Sequence, residues 1–154
     1  MPKLKHIDLK GYPYMTTTAT ANRRPIFKAP EAADILLDAI LFGKMQKWYY
    51  LLSFVIMPDH MHLIIVPQDK GISECIKSVK GFSARQINKS RQMKSTIWQV
   101  GFYDYILDSE GKVLSRIRYI EYNPVRKGIV VCPEDYEYSS AKHRDKTDLG
   151  RFFS

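Results

Sequence analysis

The chain has 154 residues, the length of one compact domain, and we predict a single domain over residues 1–154. Its composition, 45% hydrophobic and 26% charged, excludes disordered, collagen-like and coiled-coil proteins. No apolar run approaches the roughly 20 residues of a membrane span, so no membrane partner is expected. Residues 1–6 show no signal peptide, and two cysteines are too few for a disulfide scaffold; both observations favour a reduced, cytoplasmic setting.

The charge balance favours a polyanionic partner. Lys and Arg total 24 against 16 Asp and Glu, which gives a net charge of +8. A small domain this basic most often binds nucleic acid. On charge alone, a merely solvated basic surface is an equally good explanation.

Hydrophobic periodicity and turn residues predict seven regular elements in chain order. The first is a strand over 12–21, followed by a helix from Pro30 with an apolar stripe at Leu37, Ile40, Leu41, Met45 and Trp48. Strands over 48–57 and 60–66 come next, and then a helix from Gly71 to about Lys94. The last two are a strand over 101–107 and a helix from about Glu110 to Tyr122. The short Pro58-Asp59 connection predicts an antiparallel hairpin. This order predicts an α+β fold with helices packed over an antiparallel sheet.

A histidine pair stands in the second strand of the predicted hairpin. Because His60 and His62 are two residues apart, their side chains project from the same face. Two imidazoles can bind a divalent metal if further ligands come from elsewhere, and without nearby cysteines an open site is more plausible than a closed zinc site. His-x-His also occurs by chance in half-buried strands, so spacing alone leaves both interpretations open.

The last predicted helix carries a tyrosine that lies outside its buried apolar stripe. Val113, Ile117 and Ile120 form the buried stripe, whereas Tyr119 lies well away from it with Asn123 one turn later. Tyr119 is therefore either an ordinary surface residue or a nucleophile whose neighbour Asn123 offers an amide oxygen to a metal. A divalent ion held by the two histidines and Asn123 would assist attack on a phosphodiester, leaving a phosphotyrosine link.

Two stretches of the sequence, Val55–Leu63 and Tyr119–Gly128, resemble the histidine and tyrosine signatures of the REP-associated tyrosine transposases. That group is a branch of the HUH single-tyrosine transposases. The resemblance implies a ferredoxin-like α+β core, binding of single-stranded DNA folded into hairpins, and strand cleavage and rejoining with Mg²⁺ or Mn²⁺. Members act as monomers or homodimers.

The resemblance also assigns site residues. It makes Tyr119 the nucleophile and His60 and His62 metal ligands, with Asn123 as a third ligand. Tyr122 is a rival nucleophile, although the signature favours Tyr119. At Val100, relatives often carry a basic residue, which removes one expected DNA contact.

Basic residues cluster in three parts of the chain. The predicted DNA-binding residues are Arg23, Arg24, Lys77, Lys80, Arg85, Lys89, Arg116, Arg118, Arg126 and Lys127. For the second helix, the alternative is a merely soluble face. Tyr103 and Tyr105 either stack on unpaired bases or belong to the core.

Three functions compete at this point. The leading one is an enzyme that cleaves and rejoins single-stranded DNA through Tyr119. The second is a domesticated nucleic-acid-binding module without strand-transfer activity. The third is a metal-dependent hydrolase that uses the histidine pair with water and does not need Tyr119.

Overall fold

The structure, a computed structural model, describes residues 11–153. Residues 1–6, where no signal peptide is predicted, lie outside the described residues. The strands are β1 (Tyr14–Ala19), β2 (Tyr49–Met57), β3 (His60–Pro67) and β4 (Tyr103–Ile106). The helices are α1 (Pro30–Met45), α2 (Ile72–Arg91), α3 (Glu110–Glu121) and two single turns, α4 (Asn123–Arg126) and α5 (Leu149–Phe152).

The first six long elements follow the order β-α-β-β-α-β of a ferredoxin-like fold. The sheet order is β2-β3-β1-β4, and every neighbouring pair is antiparallel. The turn at Pro58 and Asp59 joins β2 to β3 as the predicted hairpin. The predicted α+β fold, with helices packed over an antiparallel sheet, is confirmed.

Alternation along β3 divides the molecule into two cores. Met61, Leu63 and Ile65 face the helices α1 and α2, whereas Ile64 and Val66 pack with the apolar stripe of α3. His60 and His62 share the face of Ile64 by the same two-residue period. The sheet therefore places the histidines on the side that α3 covers.

In the predicted apolar stripe of α1, Ile40 is buried, and Leu37, Leu41 and Trp48 are partly buried against the same core, so the prediction is wrong only at Met45. Ala32, Leu36, Ala39 and Gly43 are buried, whereas Met45 is 76% exposed. Small residues on the inner face let the helix approach the sheet closely. A Cβ at Gly43 would lie 2.5 Å from the hydroxyl oxygen of Tyr49, so the Tyr49 ring occupies the space that a larger residue would fill.

After α4, the chain returns along the outer edge of β2. The amide of Ile56 donates to the Tyr138 carbonyl, and the amide of Ser140 donates to the Phe54 carbonyl, both at 2.9 Å. Further on, the Asp148 amide donates to the Leu51 carbonyl at 2.7 Å. These bonds satisfy an edge that would otherwise be open to pairing with another chain. None of the helices within residues 11–153 is long and apolar enough to cross a lipid bilayer.

Candidate active site

The two histidines lie at the start of β3, immediately after the hairpin turn. Both are largely buried, and their ring centroids are 4.8 Å apart at an interplanar angle of 78°. The strand period places both rings on the α3 side of the sheet, as the sequence predicted.

Each imidazole is oriented by a hydrogen bond at Nδ1. His60 Nδ1 lies 2.7 Å from Asp59 Oδ1, and His62 Nδ1 lies 2.8 Å from Thr17 Oγ1. Thr17 is the direct partner of His62 across the β1–β3 ladder. These contacts leave Nε2 of both rings for a ligand, an arrangement typical of metal-binding histidines.

Burial keeps both imidazoles neutral near pH 7. Desolvation, followed by the charges of His60 and nearby arginines, lowers the pKa of His62 to about 3. Desolvation also lowers the pKa of His60, while the Asp59 carboxylate opposes that shift. A neutral imidazole that carries its proton on Nδ1 has a lone pair at Nε2, and in that tautomer each histidine can act as a metal ligand without losing a proton.

Asn123 completes a three-residue donor set. It is buried at the junction of α3 and α4, and its Nδ2 lies 3.4 Å from His60 Nε2. Because the two amide atoms exchange by a 180° rotation, Oδ1 can take the same position. Two imidazole nitrogens and an amide oxygen fit a divalent ion that keeps coordination positions for other oxygens. The described chain has no group of three His, Cys, Asp or Glu side chains that could hold a metal elsewhere.

Tyr119 faces this donor set from α3. Its ring centroid is 6.5 Å from that of His62, and its side chain remains 45% exposed. The guanidinium carbon of Arg126 lies 4.2 Å from the ring centroid and that of Arg116 lies 5.6 Å from it. Arg126 also donates to the Tyr119 carbonyl oxygen at 2.7 Å. Tyr122 is equally exposed, but in the described part of the chain it has no ring contact with either histidine.

The other predicted basic residues lie in two main groups, one beside the histidines and one on α2, with Arg118 apart from both. Beside the histidines, Arg23 Nε lies 3.2 Å from Asp59 Oδ2, and the charge of Lys127 contributes to the lowered pKa of His60. The second group lies on α2, which covers the opposite face of the sheet. It comprises Lys77, Lys80, Arg85 and Lys89. Arg118 is exposed on α3.

Two of these basic residues also bind the chain itself. Lys80 Nζ donates to the carbonyls of Gln99 and Gly101 at 2.8 and 3.1 Å. Arg24 donates to the carbonyls of Ala21 and Thr96. Both residues therefore hold the loop that precedes β4, and any DNA contact would add to that structural role.

A buried acid anchors the end of α3, and the sequence interpretation missed it. Glu121 Oε1 accepts from Arg144, and Oε2 accepts from the hydroxyls of Ser140 and Ser53. Glu121 directly follows the buried Ile120, so its position beside the apolar stripe was the available signal. It lies two residues from both Tyr119 and Asn123, and its contacts therefore fix the turn that presents them.

A profile of the family described as "Transposase IS200 like" matches residues 9–123, which span both histidines, Tyr119 and Asn123. The chain belongs to the IS200-like transposase family. Within that family it resembles the REP-associated tyrosine transposases, as the sequence signatures indicated. A REP-associated tyrosine transposase from Escherichia coli is 26% identical over 147 residues, covering 94% of this chain and 85% of that protein. A candidate REP-associated tyrosine transposase from Haemophilus influenzae is 35% identical over 104 residues, which span 60% of this chain and 58% of that protein.

Solved structures of transposases share the fold. A REP-associated tyrosine transposase bound to a REP hairpin superposes with a TM-score of 0.77 and 25% identity, covering all of this chain and 88% of its own. A transposase candidate from Deinococcus radiodurans R1 gives a TM-score of 0.54 at 25% identity, covering 79% of this chain and 96% of its own. The likeness to the first structure extends beyond the β-α-β-β-α-β core to the C-terminal segment along β2.

Proposed function

We propose that this member of the IS200-like family cleaves and rejoins single-stranded DNA that carries hairpins, with Tyr119 as the nucleophile. The observation that carries the proposal is the 6.5 Å separation between the Tyr119 and His62 rings within one chain. The family match and the likeness to a hairpin-bound relative support the substrate class.

His60, His62 and Asn123 would hold Mg²⁺ or Mn²⁺. Bound there, the ion would polarise a phosphodiester oxygen and offset the charge that develops in the transition state. Asp59 and Thr17 keep the two imidazoles in the orientation that leaves Nε2 for the ion.

The chemical step is a transesterification at phosphorus. Tyr119 Oη forms a bond to the scissile phosphorus as the bond from phosphorus to the departing strand's oxygen breaks, and the phenol proton passes to solvent. The departing oxygen takes up a proton and becomes a free hydroxyl. Attack by a hydroxyl of another strand reverses the step and releases Tyr119, so rejoining needs no ATP.

The guanidinium groups of Arg116 and Arg126 support this step. They lie over the Tyr119 ring, where cation–π attraction holds the ring in place. They also add positive charge beside the reacting phosphate. Because one chain supplies the tyrosine and the histidines together, a single copy can form a complete site, and a homodimer is not required for the chemistry.

Covalent capture tests the proposal. The protein is incubated with hairpin-containing oligonucleotides and Mn²⁺ and analysed on a denaturing gel for a protein band shifted by attached DNA. The wild-type protein and Tyr122→Phe are expected to form the adduct. Tyr119→Phe, or addition of a chelator, is expected to abolish it because the nucleophile or the metal is lost.

The same gel separates the competing functions. An adduct in Tyr119→Phe would show that the nucleophile is another residue. Hairpin binding without an adduct in any protein would favour the domesticated binding module. DNA cleavage that leaves no protein–DNA link and persists in Tyr119→Phe would favour the metal-dependent hydrolase.

A further inference from the structure

A cavity of about 270 Å³ lies beside His60. We call it the His60 cavity. Three segments form its walls: Arg23 and Pro25, the hairpin turn over residues 57–60, and Lys127 with Ile129. It therefore borders the donor set without including Tyr119.

The lining of the His60 cavity combines two kinds of surface. Pro25, Met57 and Ile129 provide apolar area, and Arg23 and Lys127 provide positive charge. The Asp59 carboxylate also lines the cavity and pairs with Arg23, which leaves Lys127 as its unpaired cation among the lining residues. A nucleotide has the matching composition, since its base is a flat, largely apolar surface and its phosphate is an anion. Pockets for small organic groups commonly join apolar walls to a few charged side chains in this way.

The wall that carries Arg23 is held in an unusual backbone conformation. Asn22 and Arg23 both have positive φ, at 55° and 53°, although neither is a glycine. The Thr20 amide donates to the Asp59 carbonyl at 2.9 Å, and the ion pair of Arg23 with Asp59 holds the same turn. Such conformations cost free energy and persist where the surrounding contacts enforce them, most often at functional sites.

The position of the cavity relative to Tyr119 indicates which part of DNA it would take. Tyr119 contacts the His62 end of the histidine pair, whereas the cavity opens at the His60 end. Displacement at phosphorus places the nucleophile and the departing oxygen on opposite sides. When Tyr119 attacks a phosphate held between it and the histidines, the departing strand therefore leaves on the His60 side.

We propose that the His60 cavity binds the base of the departing nucleotide, the one that retains the free hydroxyl after cleavage. Arg23 and Lys127 contact its next phosphate, and Pro25, Met57 and Ile129 contact the base. This inference rests on the proposed function, because it takes Tyr119 as the attacking group. It adds a protein site that selects the nucleotide at the point of cleavage.

A binding measurement tests this without relying on cleavage. Short thymidine oligonucleotides carry the fluorescent base 2-aminopurine as their last nucleotide at either the 3′ or the 5′ end. We expect the fluorescence of one of them to change on binding to the wild-type protein. Ile129→Trp, which fills the cavity from a half-exposed position, is expected to weaken that binding about tenfold. Val131→Trp is the matched control, because Val131 is 88% exposed in the same loop and does not line the cavity.

Cleavage gives a second, independent measurement. Removal of the base at the departing nucleotide is expected to slow adduct formation about tenfold in the wild-type protein and in Val131→Trp. In Ile129→Trp the same removal should have little further effect. Two results would overturn the proposal. One is that base removal slows adduct formation equally in Ile129→Trp and in the wild-type protein. The other is that all three proteins bind both labelled oligonucleotides equally. If no adduct forms but Ile129→Trp alone loses end-specific binding, the cavity stands and the proposed cleavage function fails.

Discussion

Thr17 shows how much of the histidine pair depends on a residue that contributes no ligand. Its hydroxyl lies 2.8 Å from His62 Nδ1, and its strand position is fixed by the β1–β3 register. A histidine without such a partner is free to rotate or to present the other nitrogen, which weakens metal binding. Thr17 therefore acts as a positioning residue for His62.

We predict that Thr17→Val raises the metal concentration needed for adduct formation by about tenfold, because the imidazole loses its orienting hydroxyl while strand shape is kept. The measurement is the yield of covalent adduct against Mn²⁺ concentration. Adduct formation at saturating metal should stay close to wild type.

The adjacent residue provides the control. Thr18 is fully buried, and its Oγ1 has no hydrogen-bond partner among the described residues. Thr18→Val should therefore leave the metal requirement unchanged, and it should not lower stability because a buried unpaired hydroxyl contributes none. An unchanged metal curve in Thr17→Val, or equal shifts in both variants, would contradict the positioning role.

The sequence predicted the site residues whose side chains have recognisable chemistry. It missed residues whose role depends on pairing between strands that are distant in the sequence. The signatures singled out His60, His62, Tyr119 and Asn123, and the structure brings these four together. Thr17 lies in a run of similar threonines, so nothing local distinguishes it from its neighbours. Its role arises only when β1 pairs with β3.

Among the elements, α3 is the one whose placement decides whether the site forms. It packs its apolar stripe on the sheet, and its last turn is tied to β2 and the C-terminal segment through Glu121. Arg144 reaches Glu121 from that segment with an Nη2–Oε1 distance of 2.5 Å. The C-terminal segment therefore stabilises the end of α3 that carries Tyr119 and leads to Asn123.

We predict that Arg144→Ala lowers the free energy of unfolding by about 1–2 kcal/mol, because a buried carboxylate loses its charged donor. The change is measured by urea denaturation. Lys146→Ala is the control, since Lys146 is an exposed cation in the same turn, and it should change stability by less than about 0.5 kcal/mol. Equal effects of the two substitutions would show that Glu121 does not need Arg144.

Elements differ in how well periodicity predicts them. In α2, Ile72, Ile76, Val79, Ser83 and Ile87 recur at helical spacing in the sequence, and all five are buried, as is Cys75. In α1, the inner face mixes Leu36 and Ile40 with three alanines and Gly43, whereas Met45 turns outward. A pattern based on residue size misplaces such a face, because close packing against Tyr49 requires small side chains there.

For the whole molecule, the sheet separates two basic regions. The cations around Tyr119 lie on the α3 side, and those of α2 lie on the other. The loop from Thr96 to Gly101 connects them around the sheet, since Arg24 binds one end and Lys80 the other. We therefore expect a DNA hairpin bound along α2 to continue over this loop and to bring its single-stranded end to the histidines.

We predict that the double variant Arg85→Gln and Lys89→Gln weakens hairpin binding and reduces its salt dependence. The slope of log affinity against log salt should fall by roughly 1 to 2, because each phosphate contact contributes slightly less than one. Lys146 is an exposed residue of the C-terminal segment. Lys146→Gln is the control and should leave the slope unchanged. The rate of adduct formation at saturating DNA should be that of wild type in both proteins.

Val100 allows the same path to be tested by adding a charge rather than removing one. It is 98% exposed in the connecting loop. Val100→Arg should tighten hairpin binding several-fold at low salt and steepen the salt dependence by about one. Met45→Arg adds the same charge at a largely exposed residue at the end of α1, outside that loop, and should produce a smaller change that lacks the steeper slope. Identical gains in the two variants would mean that only net charge matters. The basic residues of α2 would then be a solvated surface, and the DNA would stay on the α3 side of the sheet.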